Sequence, residues 1–118
     1  VKQALIVDPQ GAVADFARSA LESYEQTLTG SLQEAEALTF GAEYDLVLIA
    51  APAAVCDDAM WTMVERITRR AADATFVMVH TADGDAAFHA RAAALGVAVV
   101  TAPLDVTAKT LIDNVTAS

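Results

Sequence analysis

Tyr44-Asp45-Leu46-Val47-Leu48-Ile49-Ala50-Ala51-Pro52 decides the fold. Leu46 to Ile49 are apolar without a polar residue between them, the composition of a parallel strand covered on both faces, and Pro52 forbids the ladder from continuing. The segment therefore predicts the central strand of a parallel sheet. Four further strand-length runs surround it. Ala4 to Val7 stops at Asp8-Pro9, which places the Asp8 carboxylate at the C-terminal end of a buried strand. Glu25 to Thr29 is a weaker run suited to a sheet edge, while Phe76 to His80 and Val97 to Val100 complete the set.

Helical spacing fills the intervals. From Gly11, the residues Val13, Phe16, Ala17, Ala20, Leu21 and Tyr24 recur at three and four, one face of an amphipathic helix. Gly30-Ser31 offers a turn and an N-cap ahead of Leu32, Ala35, Ala37 and Leu38. Asp57-Asp58 can cap a third helix with Met60, Met63, Val64 and Ile67 inward and Arg66, Arg69 and Arg70 at the negative end of its dipole. Trp61 falls about 100° to one side of that stripe, so partial burial and a partner-anchoring role are expected. Asp83-Gly84-Asp85 opens a fourth helix through Phe88, Ala92 and Leu95, closed by Gly96, and Thr107 to Val115 forms a last one with Leu111, Ile112 and Val115 inward. The pattern is (βα)5, an α/β doubly wound parallel sheet with helices on both faces.

The 118 residues fit one domain, 1–118; 55% are hydrophobic and 19% charged, which excludes a disordered chain. A formal charge of -9 argues against nucleic-acid and anionic-membrane partners. The acids are uneven: 10 against 2 bases through Ala59, but 6 against 5 from Met60 onward, so the second half docks more easily on an acidic protein. Cys56 is the one thiol and allows no internal disulfide, and no apolar run approaches a membrane span, so a cytoplasmic location is expected. Strand-like sequence begins almost at Val1, as in a domain cut from a longer protein; removal of an initiator Met gives the same start.

In doubly wound sheets ligands bind at the C-terminal strand ends, where strand order reverses. Those ends are Asp8-Pro9, Ala50-Ala51, Thr81-Ala82 and Thr101-Ala102-Pro103. Taken with Val7-Asp8, Tyr44 to Ile49, Thr81-Ala82, Gly96 and Ala102-Pro103, the chain resembles the CheY-like receiver domain of response regulators over its whole length. The resemblance implies the flavodoxin-like strand order 2-1-3-4-5. It also implies an acidic pair for Mg²⁺ after the first strand, a phosphoacceptor Asp ending the third, a Ser or Thr after the fourth, and a Lys before Pro after the fifth. Asp8 and Thr81 match; Pro9 stands for the second acid, Ala50 for the phosphoacceptor and Ala102 for the Lys. Thr81 and Val99 occupy the switch positions, Val99 where the family has an aromatic. Pro103 stands where the family has a cis peptide bond.

A methyl group cannot attack a phosphodonor, so phosphotransfer at Ala50 is excluded, and Asp8 alone is a poor Mg²⁺ site. The resulting expectation is a degenerate, phosphorylation-independent pseudo-receiver, not itself an enzyme and without a cofactor or metal. It would act through protein contacts within a two-component protein, a hybrid histidine kinase or a response regulator. Small residues Ala86, Ala90, Ala93 and Ala94 on the fourth helix, with Arg91 and with Thr107, Lys109 and Thr110 on the last, mark the face that receivers commonly use for pairing, including as homodimers. Asp8 and Thr81 are better explained as a hydrogen-bonded strand-end anion and a loop cap than as a metal ligand and a ligand sensor. His80, His89 and Cys56 form no ligand or catalytic set. The alternative is a small-ligand sensor, for example of a cyclic dinucleotide, drawing on Arg66, Arg69, Arg70, Arg91 and Lys109. An unrelated cofactor domain is disfavoured because no glycine-rich phosphate loop follows the first strand.

Overall fold

Five parallel strands hydrogen-bond in one sheet in the order β2-β1-β3-β4-β5, as expected. The computed structural model describes residues 2–8, 11, 14–51, 58–71, 74–80, 86–101 and 110. The elements run β1 (Lys2–Val7), α1 (Ala14–Ala20), β2 (Tyr24–Thr29), α2 (Leu32–Gly41), β3 (Leu46–Ala51), α3 (Asp58–Arg70), β4 (Thr75–His80), α4 (Ala86–Ala94) and β5 (Ala98–Thr101). Of the last helix anticipated at Thr107 to Val115, only Thr110 is described, and it is helical.

β3 is central, and Leu46, Val47, Leu48 and Ile49 are all buried. Alternation along the strands divides them between two cores. Leu5, Val7, Val47, Ile49 and Met78 pack with α2, α3 and α4 through Ala35, Val64, Ile67 and Phe88. Ala4, Ile6, Leu46, Leu48, Ala50 and Val79 face the other way, with Ala17 and Leu21 at α1. Burial on both faces is why these strands read as unbroken apolar runs. No helix among the described residues is long and apolar enough to cross a membrane.

Local signals in the sequence set the element ends. The Ser31 hydroxyl accepts the Glu34 N–H at 3.1 Å and caps α2. Ser31→Ala is expected to lower unfolding free energy by about 1 kcal/mol with an unchanged m-value in a urea titration. Gly96, at φ 74°, ends α4; its N–H reaches Ala93 O and the Val97 N–H reaches Ala92 O, the paired bonds of a Schellman turn.

Two expectations are corrected. Tyr24 does not extend α1: it begins β2 opposite Lys2, because Gln26 Nε2 donates to the carbonyls of Ala17 and Leu21 and closes the helix there. Trp61 is not a half-exposed partner anchor. It is 5% exposed and takes the inward place expected for Met63, which is only partly buried. The cause is tertiary: the indole packs on Phe88 of α4 with ring centroids 5.1 Å apart, beneath the Arg91 guanidinium.

Candidate functional site

The C-terminal ends of β1 and β3 lie side by side. Val7 pairs with Ile49, and the same register one residue further sets Asp8 beside Ala50, whose own partner on β4 is Val79. Asp8 continues the ladder by donating its N–H to Thr29 O at 2.9 Å, which fixes its backbone at the sheet edge. The chain then turns through Gly11, whose φ of 70° suits a residue without Cβ. Asp8 and Ala50 are each 8% exposed, so a carboxylate and a methyl occupy a sheltered edge. Val99, opposite Met78, is half-buried against the α2–α3–α4 core. Pro9, Thr81, Ala102 and Pro103 lie outside the described residues.

The chemistry of this edge is limited by what Ala50 lacks. A phosphoacceptor must supply an oxygen nucleophile and a Mg²⁺ site several oxygen ligands, and a methyl supplies neither. Asp58, at the start of α3, does not make up the deficit: its Oδ1 takes Arg91 Nη1 at 2.8 Å. Among the described residues no group of three or more His, Cys, Asp or Glu is placed to hold a metal ion. Of the described side chains at this edge, Asp8 and Ala50, Asp8 is the one that carries a carboxylate. Asp57 and Cys56 are outside the described residues, and His89 is exposed on α4.

Of the expected partner surface, Ala90, Arg91, Ala94 and Thr110 are exposed, and Thr107 and Lys109 lie outside the described residues. Arg91 is engaged within the fold, by Asp58 and the Trp61 ring. Of the cations considered for a dinucleotide, those among the described residues are similarly occupied. Arg66 grips Glu36 of α2, Arg69 pairs with Glu65, and Arg70 lies over the Phe40 ring. Those three lie along one helix, each with its own partner.

Two features escaped the sequence reading. Glu36 is buried and held by Arg66, with Nη2 donating to Oε1 at 2.9 Å; Nε sits 2.8 Å from Oε2, near enough for charge attraction although poorly directed for a hydrogen bond. Phe40, in the last turn of α2, is 66% exposed. Its place two residues beyond Leu38, off the helix stripe, is the one signal that could have marked it.

No family model and no curated protein matches the sequence. Solved structures do. A Burkholderia pseudomallei protein assigned to pilus assembly superposes with a TM-score of 0.82 at 20% identity, covering 98% of this chain and 90% of its own. A Thermotoga maritima response regulator gives 0.80 at 16% identity, covering 100% and 99%. The cpaE protein of Burkholderia thailandensis, also assigned to pilus assembly, gives 0.78 at 20% identity with complete coverage of both chains. With the strand order and the two-faced core, these likenesses show that the chain has the receiver fold of two-component response regulators.

Proposed function

We propose that this domain is a pseudo-receiver, a receiver-fold module that takes no phosphoryl group and transmits its signal through protein contacts. Ala50 carries the reading, because it stands in the last two residues of the central strand, sheltered near Asp8, where the fold would need a carboxylate nucleophile. The expected Lys is replaced by Ala102 and the second acid by Pro9, so neither phosphate charge nor Mg²⁺ has its usual counterpart. The domain would hold or release an attached kinase or output domain, the bias being set by its different affinity for two states of that partner. Such a parent could be a hybrid histidine kinase or a response regulator. Two of the similar structures are assigned to pilus assembly, which supports an assembly machine as another setting in which this fold serves as a contact module.

Thermal unfolding with Mg²⁺ and beryllofluoride, a phosphoryl mimic, tests the proposal. A ligand at about 100 times its Kd would add roughly 2.7 kcal/mol, and several degrees to the midpoint. No saturable shift is expected, nor any mass increase after incubation with acetyl phosphate. A saturable shift with beryllofluoride, or a phosphoryl adduct, would overturn the reading.

A further inference from the structure

At the end of the sheet opposite Asp8, the last turns of α2 and α3, the connection from Ala42 to Asp45 and Gln3 of β1 line an open groove of about 660 Å³. Its helix side carries Phe40, which with Leu28 is one of two large hydrophobic side chains exposed among the described residues. The Arg70 guanidinium stacks 3.8 Å over the Phe40 ring, while Ala71 and Ala74 leave room beside it. Glu43 and Asp45 line the groove near the sheet edge.

The charge here is unbalanced. α2 has no basic residue in its last turn, and the exposed Glu43 follows directly, adding a carboxylate to the negative end of a helix dipole. Glu43 belongs to no ion pair among the described residues. Arg70 is the cation in the lining, yet it lies on Phe40 and pairs with neither acid, whereas the other four arginines each have a carboxylate partner. The chain as a whole carries -9, most of it before Met60. Anionic ligands are disfavoured by these acids, and a second copy of the chain would bring like charges together.

We propose that this groove docks a protein segment that presents Lys or Arg next to an aromatic or aliphatic side chain. The cation meets Glu43, Asp45 and the terminal carbonyls of α2, and the apolar group packs on Phe40. Electrostatic attraction steers such a segment in, and the ring supplies a desolvated anchor. The inference names the partner chemistry for the contact role proposed above and rests on that role only for its regulatory meaning. Peptide binding and the beryllofluoride response are separate measurements, so either can fail alone.

The test is an NMR titration of the ¹⁵N-labelled chain with three capped hexapeptides: Lys-Lys-Leu-Phe-Lys-Lys, Lys-Lys-Ser-Ser-Lys-Lys and Glu-Glu-Leu-Phe-Glu-Glu. The first is expected to shift the amides of Thr39 to Asp45, Arg70 and Ala71. The second binds more weakly by about fivefold or more, the third not measurably, in line with a contact needing both charge and apolar burial. Glu43→Lys and Phe40→Ser, both at exposed positions, each weaken the first peptide by about tenfold, or 1.4 kcal/mol. Equal binding of the two basic peptides, shifts scattered over the acidic surface, indifference to both substitutions, or no binding at all would overturn the proposal. So would burial of the groove in a dimer seen by sedimentation.

Discussion

Ala50→Asp is expected to destabilise the domain by about 3 kcal/mol at neutral pH, the usual scale for a buried charge without compensation. The substitution would set a second carboxylate beside Asp8 at an edge where position 50 is 8% exposed. In the sequence no Lys stands at 102 and no second acid at 9 to complete a cation site. Two controls separate charge from bulk. Ala50→Asn, similar in size and neutral, should cost markedly less, and the penalty for Ala50→Asp should shrink in acid, where the introduced carboxyl is protonated. Millimolar Mg²⁺ should recover part of the loss in Ala50→Asp while leaving the wild-type midpoint unchanged. Urea titrations followed by far-UV circular dichroism read all three. An Ala50→Asp variant as stable as the wild type would mean that this edge already solvates or neutralises a carboxylate, against the reading of a site that has lost its ion chemistry.

Trp61→Ala should cost about 3–5 kcal/mol and lower Tm by on the order of 10–20 °C, placing it among the most damaging single changes available in this chain. The indole is 5% exposed, belongs to the same core as Val64 and Ile67, and fills the seam between α3 and α4 against Phe88. Its removal leaves a cavity bordered by Phe88 and takes the aromatic surface from under Arg91. Trp61→Phe keeps a ring in the seam and should cost about 1–2 kcal/mol, since it deletes volume without emptying the site. Arg91→Ala, which breaks a pair whose side chains are 50% and 94% exposed, should change stability by less than about 1 kcal/mol. Because Trp61 is the chain's one tryptophan, its emission in the native protein should be blue-shifted and poorly quenched by iodide. Red-shifted, readily quenched emission would place the ring at the surface.

The sequence foretold the sheet far better than its flanking contacts. Strand identity came from runs such as Leu46 to Ile49, whose pattern reflects burial on two faces and so survives without knowledge of what covers them. The edge position of β2 was legible for the converse reason: Glu25, Gln26 and Thr27 interrupt the apolar character. Helix faces were partly legible. Periodicity put Val64 and Ile67 inward, but it ranks Trp61 and Met63 only by angle from a stripe centre, and the deciding fact is Phe88, 27 residues away. The end of α1 was missed because Gln26, a strand residue, closes it. At the candidate site, Asp8 and Ala50 were identifiable as strand ends, and parallel register brings them together. The pairing of Arg91 with Asp58, and of Arg66 with Glu36, depends on which helices are neighbours, which residue spacing within one helix does not encode.

The position of β1 inside the sheet also governs how the chain can fold. Ala4 must find Leu46, and Lys2 must find Tyr24, before the first strand is hydrogen-bonded on both sides. Every pairing in the sheet is parallel and therefore non-local, so ring closure precedes reward and folding is slow for a chain of this length. During synthesis β1 emerges before both of its partner strands and is completed late. Until β3 has been synthesised, Leu5 and Val7 have no second neighbour and half a core, which makes the nascent β1 segment a natural client for chaperones.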